Sequence, residues 1–211
     1  MARVIPTVPL ADIPELRSSV GLCGFMEVVI HHLLFVKNVY PKEAFSKSVR
    51  KNVTVWKCDC PEVQKYIINF LNFAHKVLIQ KRKITLGFVL CRRNNEVIEE
   101  FDFEFKVHDL FVESESQLVC LLDNLISICE DIHKTNTFFD FNTVNSGAKE
   151  ITFELQIVFD PDEVEDLPNQ DPEYPMILHR APAKNPLKKV TQLKKERNKT
   201  YEVKAFALKK M

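Results

Sequence analysis

Ile151-Thr152-Phe153-Glu154-Leu155-Gln156-Ile157-Val158-Phe159 sets Ile151, Phe153, Leu155, Ile157 and Phe159 against Thr152, Glu154 and Gln156, until Asp160-Pro161-Asp162 ends the pattern. A period of two over nine residues is the mark of a long strand with one buried and one wet face. Beyond it the periodicity disappears. Pro168, Pro172, Pro175, Pro182 and Pro186 follow Pro161, and only Thr200 to Leu208 again reads as a strand. Structureless runs beyond about 12 to 15 residues are uncommon in compact domains and are usually functional or disordered. The stretch after residue 160 therefore needs a purpose that packing alone does not supply.

Working back from that strand, the pattern changes to that of helices. Leu22, Phe25, Met26, Val29, Ile30, Leu33 and Val36 recur at three-and-four spacing, with Val28, Leu34 and Phe35 widening the stripe, so residues 18 to 39 are expected to form a largely buried helix. Ser18 or Ser19 can cap its start, and Tyr40-Pro41 stops it because the residue before proline is displaced from the helical region. His31 and His32 lie about 100° apart on such a helix and so do not share a face as two ligands would; packed or surface histidines are the better reading. A basic, extended stretch, Lys47 to Lys57, leads to Pro61 at the first position of a second helix carrying Val63, Tyr66, Ile67, Phe70, Leu71 and Leu78. Ile84 to Cys91 and a strand through Phe105, with Phe101, Phe103 and Phe105 alternating with Asp102 and Glu104, form a hairpin with one wet face. A third helix is expected over about Ser114 to Thr135, opened by a capping box and striped by Leu118, Leu121, Leu122, Leu125, Cys129 and Ile132. The order helix, helix, hairpin, helix, strand implies an α+β layer fold with helices on one face of a mainly antiparallel sheet.

Composition removes several alternatives. The chain has 211 residues, 45% hydrophobic and 27% charged, with 29 basic and 29 acidic side chains, which fits one globular domain rather than a disordered, collagenous or coiled-coil chain. No run approaches the 18 to 20 apolar residues needed to span a bilayer, and Met1 to Pro6 lacks a signal-peptide core, so a soluble intracellular chain is expected. Four scattered glycines cannot build a phosphate-cradling loop, which argues against kinase, Rossmann and P-loop folds. The six cysteines form no pair of CxxC knuckles, so reduced thiols are expected and Cys58-Asp59-Cys60 reads as structural; no metal or cofactor is expected. His75, His108, His133 and His179 form no recognisable triad or metal motif with the acidic residues, which argues against an enzyme.

The zero net charge conceals an asymmetry. Glu154 to Glu173 holds eight acidic residues and no Lys or Arg, whereas Arg180 to Met211 holds eleven basic residues and two acidic ones. Lys188, Lys189, Lys194, Lys195, Arg197 and Lys199 could form a nucleic-acid or nuclear-import patch, but a solvated surface is the commoner origin of such a run. No aromatic residue is interleaved through Lys184 to Lys199 to stack on bases, so direct nucleic-acid binding is not expected.

Phe25-Met26-Glu27-Val28-Val29-Ile30-His31-His32-Leu33-Leu34-Phe35-Val36-Lys37-Asn38-Val39-Tyr40-Pro41, Phe45, Asn52 to Val55 and Cys60-Pro61-Glu62-Val63-Gln64-Lys65-Tyr66-Ile67 closely resemble the HORMA-domain accessory subunits of translesion DNA polymerase zeta. The resemblance continues through Val97 to Phe105 and Ile151 to Leu155, and weakly through Tyr174 to Leu178 and Asn185 to Lys188. It implies one HORMA domain over residues 1–211, with three helices on the sheet, a core of about 18–160 and a C-terminal safety belt of about 161–211 that wraps over a partner's extended strand. The implied role is a nuclear, non-catalytic adaptor. It would clamp a proline-containing peptide of the catalytic subunit and bridge it to the Y-family polymerase scaffold, with checkpoint or double-strand-break adaptors as the alternative within the family. Carried over by position, the peptide site comprises Tyr66, Tyr174, Pro175, Met176, Ile177 and Leu178; Met176 stands where the family has tryptophan. An aromatic ring at Tyr66 suits a preordered proline helix, which loses little entropy on binding. The surface for the second partner would comprise Lys184, Pro186, Leu187, Thr200, Tyr201 and Val203, and homo- or heterodimerisation through helix three stays open.

Overall fold

The computed structural model describes residues 18–50, 53–81, 83–92, 96–108, 151–159, 177–180, 188–197 and 201–210. The first apolar stripe forms helix α1, Ser18–Val36, and Leu22, Phe25, Met26, Val29, Ile30 and Leu33 are all buried. The helix ends before the proline. The Val39 N–H donates to the Leu34 carbonyl at 3.0 Å and the Asn38 N–H to the Phe35 carbonyl at 3.1 Å, while Asn38 takes φ 50°. This is a Schellman cap, in which a left-handed residue lets the chain turn back onto the last carbonyls; asparagine tolerates that conformation better than most residues. Pro41 lies beyond the cap, where a proline is commonly found.

A short 3-10 turn, Lys42–Ala44, leads into β1, Phe45–Arg50, which pairs antiparallel with β2, Val53–Cys58, from Phe45↔Cys58 to Arg50↔Val53. This hairpin stands apart as a two-stranded sheet. It is pinned to α1 by Phe35, whose ring stacks on Trp56 at 4.1 Å and meets Phe45 edge-on at 5.4 Å. His31 adds a buried polar link, its Nδ1 accepting the Cys58 N–H at 3.2 Å. Both His31 and His32 are buried, matching the packed reading.

Helix α2 runs Pro61–Lys81 and starts where proline costs no hydrogen bond. The Gln64 N–H takes the Cys60 carbonyl at 3.0 Å, and Glu62 places a carboxylate near the positive end of the helix. Cys60 Sγ donates to that carboxylate at 3.1 Å, so one thiol of the Cys-Asp-Cys stretch joins the helix start, while Cys58 is buried. Val63, Ile67, Phe70, Leu71, Phe73, Ala74, Val77 and Leu78 form the buried side of α2.

The remaining strands are β3 (Lys83–Arg92), β4 (Val97–Val107), β5 (Ile151–Phe159), β6 (Ile177–Arg180), β7 (Lys188–Arg197) and β8 (Tyr201–Lys210). They make one six-stranded sheet in the order β6-β5-β3-β4-β8-β7, antiparallel throughout except for β5 with β6. The expected phenylalanine hairpin is its centre: Ile84↔Phe105, Leu86↔Phe103 and Phe88↔Phe101 share a buried face with Leu155, Ile157, Val203 and Ala205, packed in one core with α1 and α2. Lys37, just past α1, is also inside that core, 2% exposed. Its Nζ lies 2.8 Å from the Glu99 carboxylate of β4 and 4.9 Å from the centre of the Phe101 ring.

Two strands correct the sequence reading of the tail as irregular up to residue 200. β6 pairs parallel with β5 from Gln156↔Ile177 to Phe159↔Arg180, and β7 pairs with β8 along ten residues. β7 was hidden because its register shifts between Gln192 and Lys194, which breaks the alternation, and because lysine-rich strands are uncommon except at edges. β6 is only four residues long. Two helices are found among the described residues; the expected third, Ser114 to Thr135, lies outside them.

Candidate functional site

Tyr66 sits on the flank of α2 that faces β5, with Val63, Ile67 and Phe70 of the same helix fixed in the core beside it. Its hydroxyl oxygen accepts the backbone N–H of Leu155 at 3.1 Å. That bond has a directional consequence. Backbone groups of one residue point to one side of a strand and alternate along it, so Leu155, together with Phe153 and Ile151, presents its N–H away from β3 and toward the outer edge. β6 covers that edge only from Gln156 onward, and among the described residues no strand pairs there with Ile151–Leu155. The Tyr66 hydroxyl thus caps the last edge amide before β6 begins.

Above this edge lies a group of aromatic rings. Phe153 is half-buried; it stacks on Phe88 at 5.7 Å and meets Tyr66 at 5.7 Å and Tyr40 at 6.4 Å, both edge-on. Tyr40 and Tyr66 are likewise half-buried, packed against the core on one side and open on the other. Burial raises the pKa of both phenols above the ordinary tyrosine value, and at Tyr66 the Leu155 hydrogen bond opposes that shift. Both stay uncharged at neutral pH. The ledge can therefore pack against apolar rings, and the strand edge beside it can pair with an extended backbone.

Of the sequence-derived site residues, Ile177 and Leu178 open β6, opposite Gln156 and Ile157, on the same edge as Tyr66. Tyr174, Pro175 and Met176 lie outside the described residues, as do Lys184, Pro186, Leu187 and Thr200. Tyr201 and Val203 fall in β8, opposite Val107 and Phe105, beyond β3 and β4 from the Tyr66 edge. Val203 is 1% exposed and belongs to the core. Tyr40 and Phe153 were not singled out from the sequence. The sequence marks Tyr40 only as a helix stop and Phe153 only as a strand residue, although both stand in the segments that carry the family resemblance.

No family model matches the chain. Among curated proteins it is similar to the mitotic spindle assembly checkpoint protein MAD2B of Danio rerio, 27% identical over 122 residues, covering 54% of this chain and 58% of that one. It is also similar to DNA polymerase zeta subunit 2 of Drosophila melanogaster, 22% identical over 103 residues, covering 49% and 52%. The matches span just over half the length of these relatives. Among solved structures, a chain of the mitotic checkpoint complex superposes with TM-score 0.69 at 18% identity, covering 92% of this chain and 99% of that one. The chain has the HORMA fold. Another HORMA structure, C. elegans HTP-2 bound to the HIM-3 closure motif, superposes with TM-score 0.61 at 14% identity, covering 91% and 90%. The HORMA architecture gives the arrangement its meaning: two helices brace the sheet from one side, and the strand edge beside Tyr66 lies at their margin.

Proposed function

We propose that the chain is a non-catalytic HORMA adaptor of DNA polymerase zeta that captures a proline-containing segment of the catalytic subunit along the edge of β5. The single observation that carries this reading is the aromatic ledge of Tyr40, Tyr66 and Phe153 beside the outer edge of Ile151–Leu155. An incoming strand would hydrogen-bond to the edge groups of Ile151 and Phe153, and a proline ring, preset in an extended helix, would pack on the tyrosines at low entropic cost. Polymerase zeta is favoured by the relatives named as its subunits. The closure motif bound by HTP-2 is the counterpart of the segment proposed here.

The chain would hold its ligand by topology as well as contact. Arg180 ends β6 on one edge of the sheet and Lys188 begins β7 on the other, so the covalent chain joins the two edges within eight residue steps. Release of a segment held beneath such a link would require local opening, which slows dissociation. A nuclear location and a bridge to a Y-family polymerase scaffold belong to the same reading. Relatives named for the spindle checkpoint favour a second reading, the same clamp serving checkpoint partners; the partners that co-purify with the chain separate the two. The test is calorimetric titration of the full chain with a proline-containing segment of the polymerase catalytic subunit, for the unmodified protein and for Tyr66→Ala. Saturable binding that weakens in the variant is expected, and a folded chain that binds nothing would refute the proposal.

A further inference from the structure

Glu154 lies within the proposed capture edge, but on the other face of the sheet from the aromatic rings. Phe153 and Leu155 turn toward the helices and their core, so Glu154 between them points to the opposite face. Its neighbours there follow from the register: Val89 directly across on β3, Gly87 and Cys91 on the diagonals, and Thr152 and Gln156 along β5. Gly87 confirms the side, because a Cβ at that position would lie 3.5 Å from the Gln156 Cβ. None of these neighbours is a cation. Glu154 is half-buried, and its carboxylate accepts a hydrogen bond from Gln156 Nε2 at 3.4 Å.

Other carboxylates of this sheet have a cation of their own. Glu99 engages Lys37 at 2.8 Å, Glu104 engages Lys204 at 3.2 Å, and Glu96, just before β4, engages Arg92 at 2.9 Å. Among the described residues no lysine or arginine forms such a pair with Glu154. Its charge still acts along the edge. Burial is the first cause that raises the pKa of the Tyr66 phenol and of the Cys91 thiol, and Glu154 adds to both, joined at Cys91 by Glu100. The buried Val89 fills the β3 side of Glu154, so a cation reaches the carboxylate from the outer edge of β5.

We propose that Glu154 selects, among segments captured on this edge, those that place a lysine or arginine opposite it. The inference rests on the peptide capture proposed above and names the chemistry of the captured segment. A strand paired with Ile151–Leu155 alternates its own side chains: those opposite Phe153 and Leu155 face the rings, and the one opposite Glu154 faces the carboxylate. The two opposed Cβ atoms stand about 4.5 to 5.5 Å apart, within reach of an ion pair. The segment is thus read on both faces, with apolar or proline side chains against the rings and a cation at the adjacent position in its sequence. Parallel and antiparallel pairing give the same pattern, because both alternate with a period of two. An acidic residue at that position would oppose a like charge, which weakens a strand pair.

The experiment is calorimetric titration of the full chain and of Glu154→Gln with a synthetic peptide of the proline-containing segment of the polymerase catalytic subunit, and with peptides in which each lysine or arginine is replaced in turn by glutamine. Glutamine at position 154 keeps the shape and the acceptor for Gln156, so the variant should unfold at the same urea concentration as the unmodified chain. It should bind the native peptide about threefold to fivefold more weakly. One peptide replacement should weaken binding to the unmodified chain by the same factor, and the two changes together should cost no more than either alone. Glu154→Lys should weaken the native peptide further and regain affinity for the peptide that carries glutamate at the coupled position. A native peptide that binds the unmodified chain and Glu154→Gln with the same Kd, or losses that simply add, would overturn this inference and leave peptide capture standing. A folded, unmodified chain that binds no peptide would refute the capture itself, and the inference would fall with it.

Discussion

Replacing Tyr66 by alanine and by phenylalanine separates the two jobs the structure gives it. The hydroxyl accepts the Leu155 N–H at 3.1 Å in a partly buried setting, a bond of about 1 kcal/mol net in stability. The ring meets Phe153 edge-on at 5.7 Å, a contact of about 0.5 to 1.5 kcal/mol beyond the area it buries. Tyr66→Phe should therefore lower unfolding free energy by about 1 kcal/mol. Tyr66→Ala should lower it by at least about 2 kcal/mol, less than the 5 to 15 kcal/mol that holds a typical domain together. Binding should respond in a different proportion. If the ring is the wall against which a proline packs, Tyr66→Ala loses about 1 to 3 kcal/mol of affinity, roughly 5- to 140-fold in Kd. Tyr66→Phe keeps the wall and stays within about threefold. Urea unfolding and calorimetric titration of all three proteins give both quantities. Equal losses of affinity for phenylalanine and alanine would refute the ring as anchor, and an unchanged Kd for alanine would remove Tyr66 from the site.

Two further predictions concern buried charge. The His31 pKa is lowered to about 4, first by burial and then by Lys57, with Asp59 opposing. Above pH 6.5 both folded and unfolded chains carry a neutral imidazole. Between 6.5 and 4 the unfolded chain binds a proton that the folded one refuses, so stability falls as pH drops, by about 3 kcal/mol in all. Asparagine at position 31 preserves an acceptor for the Cys58 N–H without titrating; urea unfolding of both proteins at pH 7 and pH 4 should show the gap between them shift by that amount, and parallel pH dependence would refute it. The Lys37–Glu99 pair should show strong coupling in a double-mutant cycle. Glu99→Gln strands a lysine whose side chain is 3% exposed, whereas Lys37→Met strands a carboxylate that is 13% exposed, so the first should cost more, about 3 to 5 kcal/mol. The double variant should recover most of that loss, and additive losses would show that the charges do not depend on one another.

The parts of the fold that the sequence made legible are those whose burial imposes a period. The spans of α1 and β5 and the start of α2 at Pro61 follow within a few residues from apolar spacing and proline positions, whereas the end of α2 carries no such mark, and of the hairpin expected to keep one wet face only β4 does so, because β3 buries Val89 and Cys91 as well as Phe88 and Leu90. The tail was harder because edge strands have little to bury. β7 lacks apolar alternation and carries a register shift, so its lysines looked like surface until pairing with β8 placed them. At the site, Tyr66 came from the family resemblance, since a half-buried tyrosine on a helix flank has the same local pattern as a core residue. Tyr40 and Phe153 could not be joined to it without three-dimensional information, because α1's end, α2 and β5 are far apart in sequence and meet only across the sheet.

The central claim is that a partner's backbone pairs with the outer edge of β5. Hydrogen exchange resolved to single amides, with and without the proline-containing segment, tests it at Ile151 and Phe153, whose N–H groups face that edge. Slowed exchange at both residues on adding the segment, with Gly87 and Phe103 in the sheet interior unchanged, is the predicted result. Binding that leaves the Ile151 and Phe153 amides exchanging at their original rates would contradict the account.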